Sequence, residues 1–282
     1  LVKMSTIVSS FKNSCGRDIN LEIVDNSNRT KKTLFLFLHG FKAFRNWGFY
    51  PYLCEKVAEN DFIAARFDFS LSAVADGERL IYIPELFAQN TVSQELQDVQ
   101  DFLSALESKQ IPIDYHSWDG EIVLCGHSRG AAIAILEANF SPRIKKLVLL
   151  SPIATFDRYS DRQKDLWRRN GYVEFKLVHS QQKLRINYSY LEDILLNADK
   201  FDLPKAISRV TQPILIVHGK QDLTVSPKEA YELAHNVKNK EQLRFLLLDR
   251  AGHGFNSSHP FDQSNQVLEM LVVEVVNFIK EK

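Results

Sequence analysis

EIVLCGHSRGAAIAILEA, residues 121–138, decides how this chain is read. EIVLC is a short apolar run of the kind that forms a strand covered on both faces. AAIAILEA is rich in residues that favour a helix. Between them Gly126 and Gly130 bracket His127-Ser128-Arg129 in the pattern G-x-S-x-G. A strand that turns sharply into a helix crowds its own backbone, and glycines two residues either side of the serine relieve that crowding. The turn aims the Ser128 hydroxyl out of the sheet, at the head of the following helix, where it is a candidate nucleophile. A bare G-x-S-x-G also occurs in simple tight turns; the strand–turn–helix context is what gives this one weight.

Working outward, residues 19–24 alternate apolar and polar, and short apolar runs recur at 33–39, 62–67, 146–150, 214–217 and 243–248. Helical patterns lie between or beside them at 50–59, 91–107, 131–140, 227–237 and 265–282. Strands alternating with helices imply right-handed crossovers and a mostly parallel, doubly wound α/β sheet. From 151 to 211 no buried-strand run appears. A charged helical segment at 161–170 precedes two alternating stretches, 172–178 and 184–190, which read as a hairpin around 179–183; a further helical segment starts at Leu191. An insertion of this length between core strands suits a lid. The expected organisation is a core of 1–150 and 212–282 with a lid (cap) at 151–211.

Composition narrows the partners. The 282 residues carry 35 basic and 35 acidic side chains, a net charge of zero, with no basic block to grip nucleic acid. The apolar runs are far shorter than the roughly 20 residues that span a bilayer. No secretory leader is expected from the first fourteen residues, which lack an apolar h-region. Three widely spaced cysteines (Cys15, Cys54, Cys125) form neither a disulfide framework nor a zinc pattern, so a reducing, cytoplasmic setting is expected. With no H-E-x-x-H and no G-x-x-x-x-G-K-[ST], neither a metal nor an organic cofactor is expected. Either a monomer or a homodimer is compatible with the sequence.

A serine hydroxyl needs a base to become a nucleophile at neutral pH. On this architecture an acid and then a histidine follow the serine, each after a late strand. Asp222 follows PILIVHG, and His253 follows LRFLLLD within Ala-Gly-His-Gly-Phe. His253 would take the serine proton while Asp222 holds its tautomer. His259 is the rival base but is better placed to cap the last helix. Asp249 reads as structural, and Glu229 falls inside a helix. His39 and His127 read as packing or hydrogen-bonding groups. Gly40 would let the chain turn so that the Phe41 N–H faces the site, joining the Arg129 N–H as an oxyanion hole. Trp47 and Phe44 are candidates to anchor that loop.

These stretches resemble the α/β-hydrolase superfamily, and within it the lid-bearing bacterial cinnamoyl and feruloyl esterases. The matching segments are HGFKAFRNWGFYPYL (39–53), FAQNTVSQELQDV (87–99), GHSRGAAIAILEA, PILIVHGKQD and AGHGFNSSHPF, which together span nearly the whole chain. Many members have a second glycine after the elbow where this chain has Ala131. The resemblance implies Ser128, Asp222 and His253 as a triad, with Phe41 and Arg129 as oxyanion donors. It implies a serine carboxylesterase acting on a small-molecule ester through an acyl-enzyme. A peptidase or acyltransferase on the same fold, or a receptor without turnover, stays open. In the lid, Tyr172, Tyr188 and Tyr190, with Phe175, Gln181 and Gln182, are candidates to contact an acyl or phenolic group; packing of the hairpin on the core is the alternative. The Arg129 guanidinium would either touch substrate or pair with a nearby carboxylate.

Overall fold

The structure is a computed structural model and describes residues 4–26, 28, 30–177 and 181–281. The apolar runs become neighbours in one sheet. β3 (Lys32–Leu38), β4 (Ile63–Phe67), β7 (Trp118–His127), β8 (Ile144–Leu150), β11 (Ile214–Gly219) and β12 (Leu243–Leu248) run parallel. β1 (Met4–Lys12) and β2 (Asp18–Asn26) close one edge antiparallel, in the order β1-β2-β4-β3-β7-β8-β11-β12. β1 has no apolar run to announce it. It is an edge strand whose only buried side chain is Phe11, with Ile7 and Val8 exposed, so it needs no apolar run.

Successive residues of the central strands point to opposite faces. Leu34, Leu36 and Leu38 join the cluster formed with α3 (Val92–Glu107), α4 (Arg129–Glu137) and α8 (Pro227–Asn236). Phe35 and Phe37 join the opposite cluster, with α1 (Tyr50–Ala58) and α9 (Gln266–Lys280). Each such side chain stabilises the fold by about 1.5–3 kcal/mol through burial. α3 and α9 start where the chain supplies acceptors: the Thr91 side chain accepts from Gln94 N, and Asn265 accepts from Val267 N and Leu268 N. The last helix stops at Lys280, where Glu281 turns extended; Lys282, within the expected span, lies outside the described residues.

Two smaller pieces cover the carboxyl ends of the strands. One is a short hairpin, β5 (Val74–Asp76) with β6 (Ile81–Tyr82), leading into α2 (Pro84–Phe87). The other is the stretch between β8 and β11: α5 (Asp161–Asn170), β9 (Tyr172–Lys176), β10 (Lys183–Asn187), α6 (Tyr188–Leu196) and α7 (Leu203–Ile207). β9 and β10 pair antiparallel, as the alternation predicts, while residues 178–180, the last of the expected first strand and the first two of the expected turn, lie outside the described residues. The second strand is shorter than expected. It ends at Asn187, and Tyr188 and Tyr190 belong to a helix, because Tyr190, Leu191 and Ile194 bury one helical face in the core. Gln182 ties the two pieces together by accepting from Tyr82 N at 2.9 Å and donating to Tyr82 O at 2.7 Å. Among the described residues no helix is long and apolar enough to cross a membrane.

Candidate active site

At the end of β7 the chain turns into α4 through Ser128, whose φ of 56° and ψ of −118° lie outside the ordinary range of a side-chain-bearing residue. The flanking glycines are dictated by contact. A Cβ on Gly126 would lie 2.3 Å from the Gly130 carbonyl group, and one on Gly130 would lie 2.3 Å from Leu38 O. The elbow is thereby pressed against the end of β3, which brings residues 39–41 beside Ser128. Gly40 has no positive φ. Its lack of a side chain matters because a Cβ there would sit 3.2 Å from Ser128 Cβ.

His39 orients the peptide that follows. Phe69 N donates to His39 Nε2 at 3.1 Å, so the ring proton sits on Nδ1, which donates to Gly40 O at 2.8 Å. That carbonyl belongs to the same planar unit as the Phe41 N–H and fixes its direction. Burial pulls the His39 pKa down to about 3, so the ring stays neutral. Among the described residues neither Phe41 N nor Arg129 N donates a hydrogen bond.

Asp222 and His253 meet at the ends of β11 and β12. His253 Nδ1 donates to Asp222 Oδ2 at 2.7 Å, and the carboxylate is fully buried. Asp222 Oδ1 accepts from Thr224 N and Val225 N, each at 2.8 Å. Burial pushes the Asp222 pKa up, but donation from His218, His253 and Val225 outweighs it and holds the carboxyl well below its usual range. His127 secures His253 from the elbow side. Its Nε2 donates to His253 O at 2.8 Å and its Nδ1 accepts from the Tyr50 hydroxyl at 2.9 Å, with ring centroids of the two histidines 4.7 Å apart. Burial, then the neighbouring His253, lowers the His127 pKa to about 3. Half-buried Ser128 makes no side-chain hydrogen bond among the described residues, and His253 Nε2 has no partner there either.

The Arg129 side chain pairs with the Glu95 carboxylate, both nearly fully buried, and Asn90 donates to the same Glu95 oxygen at 3.0 Å. Its guanidinium lies 4.2 Å from the centre of the Phe41 ring and donates to the Tyr190 hydroxyl at 3.4 Å. Tyr190 is thus buried against Arg129 and stacks on Trp167. Tyr172 is half-buried beneath the Arg185 guanidinium, and Tyr188 is half-buried against the core; neither makes a described contact with Ser128, Asp222 or His253. Phe41, buried Phe87 and Phe175 form an aromatic wall, with Lys42 Nζ 5.7 Å from the Phe41 ring and 5.2 Å from Phe175.

The rivals are accounted for. His259 does not cap the last helix, since Asn265 does so; instead it accepts from Gly48 N at 3.0 Å and donates to Gly77 O. Trp47 stacks between His259 and His127, as an anchor for the loop should. Asp249 is exposed and pairs with Lys220. What the residue pattern did not reveal is His218, fully buried with Nε2 3.1 Å from Asp222 Oδ2, and Glu95 as the partner of Arg129. The one available signal was that His218, like His39 and His127, stands at a strand end beside a glycine. Among the described residues no cluster of three or more His, Cys, Asp or Glu could hold a metal ion.

A family model described as "Alpha/beta hydrolase family" matches residues 35–267. A Mycoplasma genitalium protein named "Putative esterase/lipase 2" is 23% identical over 277 residues, covering 86% of this chain and 90% of that protein. The fold is similar to that of Est1E from Butyrivibrio proteoclasticus, solved with ferulic acid bound, at 19% identity and a TM-score of 0.71 over 96% of this chain and 97% of that one. It is also similar to mouse alpha/beta hydrolase domain-containing protein 10, at 17% identity and a TM-score of 0.70 over 97% and 98%.

Proposed function

The chain belongs to the alpha/beta hydrolase family, and from that premise we propose that it is a serine carboxylesterase acting on small carboxylic esters. The observation that carries this reading is His253, with Nδ1 on a buried carboxylate and Nε2 unengaged beside the elbow. An imidazole held this way accepts a proton at Nε2. In the proposed reaction Ser128 Oγ attacks the ester carbonyl while its proton passes to His253. The resulting oxyanion accepts hydrogen bonds from the Phe41 and Arg129 N–H groups, which have no other described acceptor. Collapse expels the alcohol, which takes the proton from His253 and leaves an acyl-serine. Water, deprotonated by His253, then attacks the acyl group, releases the acid and restores Ser128.

In this reading the 151–211 stretch acts as a lid, a role supported by its position over the strand ends and the Gln182–Tyr82 tie. The wall of Phe41, Phe87 and Phe175 suits an aromatic or short acyl group, so hydroxycinnamoyl and short-chain acyl esters are the substrate classes put forward. All three cysteines are free, in keeping with a reducing, cytoplasmic setting. The test is hydrolysis of p-nitrophenyl butyrate by the native chain and by Ser128→Ala. Loss of about 10³-fold or more in kcat is expected. Turnover unchanged in the pure variant would overturn the assignment of Ser128.

A further inference from the structure

Asp222 receives more hydrogen bonds than a triad needs. Its Oδ1 is filled by two backbone N–H groups, which leaves Oδ2 for the histidine. Yet Oδ2 lies 2.7 Å from His253 Nδ1 and 3.1 Å from His218 Nε2. His218 Nε2 is also 3.0 Å from Val225 O. Both of those neighbours are acceptors, so Nε2 carries a proton and shares it between them. The other ring nitrogen, Nδ1, is buried with no hydrogen-bond partner among the described residues. An orphaned buried ring nitrogen is unfavourable, and an apolar side chain would avoid it. Packing therefore does not explain a histidine here; the donor at Nε2 does.

Resting on the triad reading above, we infer that His218 is a positioning residue for the reaction. Its Nε2–H shares Asp222 Oδ2 with His253, holding the carboxylate in line while limiting how tightly it grips the imidazole. The two histidines compete for one oxygen. Without His218, Oδ2 would concentrate its charge on His253 Nδ1–H, and His253 would bind its proton more tightly. The other ionisable groups facing this pair are His127, whose ring lies against His253, and Tyr50, whose hydroxyl is on His127 Nδ1. Neither bonds Asp222, so neither replaces His218. No further charged group pairs with Asp222 or His253 among the described residues.

The experiment compares His218→Gln, whose amide nitrogen can reach the Nε2 position, with His218→Leu, which has no donor. Two quantities are measured in full-length protein: the pH profile of kcat/KM on p-nitrophenyl butyrate, and the ¹⁵N NMR titration of the His253 ring. In His218→Leu the acid limb and the ring titration are expected to move up by about half to one pH unit. That makes kcat/KM on the acid limb about three- to tenfold lower relative to the plateau. KM should stay near its native value, and His218→Gln should restore the native limb. If His218→Leu does not fold, His218→Asn replaces it, because its amide falls on the Nδ1 side and leaves Oδ2 without a second donor. A uniform loss at every pH with an unmoved titration, or a glutamine that fails to restore it, would overturn the inference. The titration needs no turnover. A shifted His253 titration in a chain that hydrolyses no ester would keep the His218 coupling and refute the esterase reading instead.

Discussion

Ser128 should be more stable as glycine, although the substitution removes the proposed nucleophile. At φ 56° and ψ −118° a residue with a Cβ is strained, whereas glycine enters this region freely. Such strain is typically about 1–3 kcal/mol. Glycine also gives the unfolded chain more freedom, which offsets about 0.4–1 kcal/mol. Ser128→Gly should therefore gain roughly 0.5–2 kcal/mol. Ser128→Ala keeps the Cβ and the strain, so it should stay within about 0.5 kcal/mol of the native chain and serves as the control. For 282 residues the entropy of unfolding makes 1 kcal/mol worth about 2 °C. Ser128→Gly should then melt about 1–4 °C above Ser128→Ala. Matched calorimetric scans and urea titrations of the two variants give this difference. A glycine variant no more stable than the alanine one would refute the claim that the elbow stores strain to expose its hydroxyl.

Gly130→Ala, whose Cβ would lie 2.3 Å from Leu38 O, should lose on the order of 3 kcal/mol in denaturant titration, together with ester turnover. Gly252→Ala, with nothing nearer than Asn256 Oδ1 at 3.6 Å, should be neutral or stabilising by up to about 1 kcal/mol in the same titration. Glu137 is buried, and burial raises its pKa from 4.5 to about 7. The folded state thus binds a proton the unfolded state releases, so this contribution is complete below pH 4.5 and is lost as pH rises through about 7. Glu137→Gln should remove that slope and be more stable at pH 8.5 by up to about 3 kcal/mol, read from melts at pH 4.5 to 8.5. Glu95→Gln leaves the buried Arg129 guanidinium without its counter-ion and should destabilise the chain by about 3–5 kcal/mol in urea titration.

The fold class was legible because strands buried on both faces must be apolar runs. The parallel strands at 33–39, 62–67, 146–150 and 214–217 all carried that mark, and 243–248, half-buried at the far edge of the sheet, is apolar as well. β1 did not, because an exposed edge strand buries too little to need it. The hairpin in 151–211 was legible as alternation, but not the point where it stops. Tyr188 and Tyr190 fit a continued strand equally well by pattern, and only packing of Tyr190, Leu191 and Ile194 on the core makes them helical.

By itself the sequence determined the elbow at Ser128 and the order of Asp222 and His253, because both follow from local rules. A strand–turn–helix needs its glycines within a few residues, and parallel strands all present their carboxyl ends, with the loops that follow, at the same edge of the sheet. Which side chains meet across the fold was decided only by tertiary structure. Arg129 finds Glu95, 34 residues upstream, and His127 finds the carbonyl of His253, 126 residues downstream. His259 finds Gly48 rather than a helix end. These partners come from different strands and helices, and a hydrogen bond forms only where packing leaves its two atoms about 3 Å apart. No spacing along the chain encodes that distance.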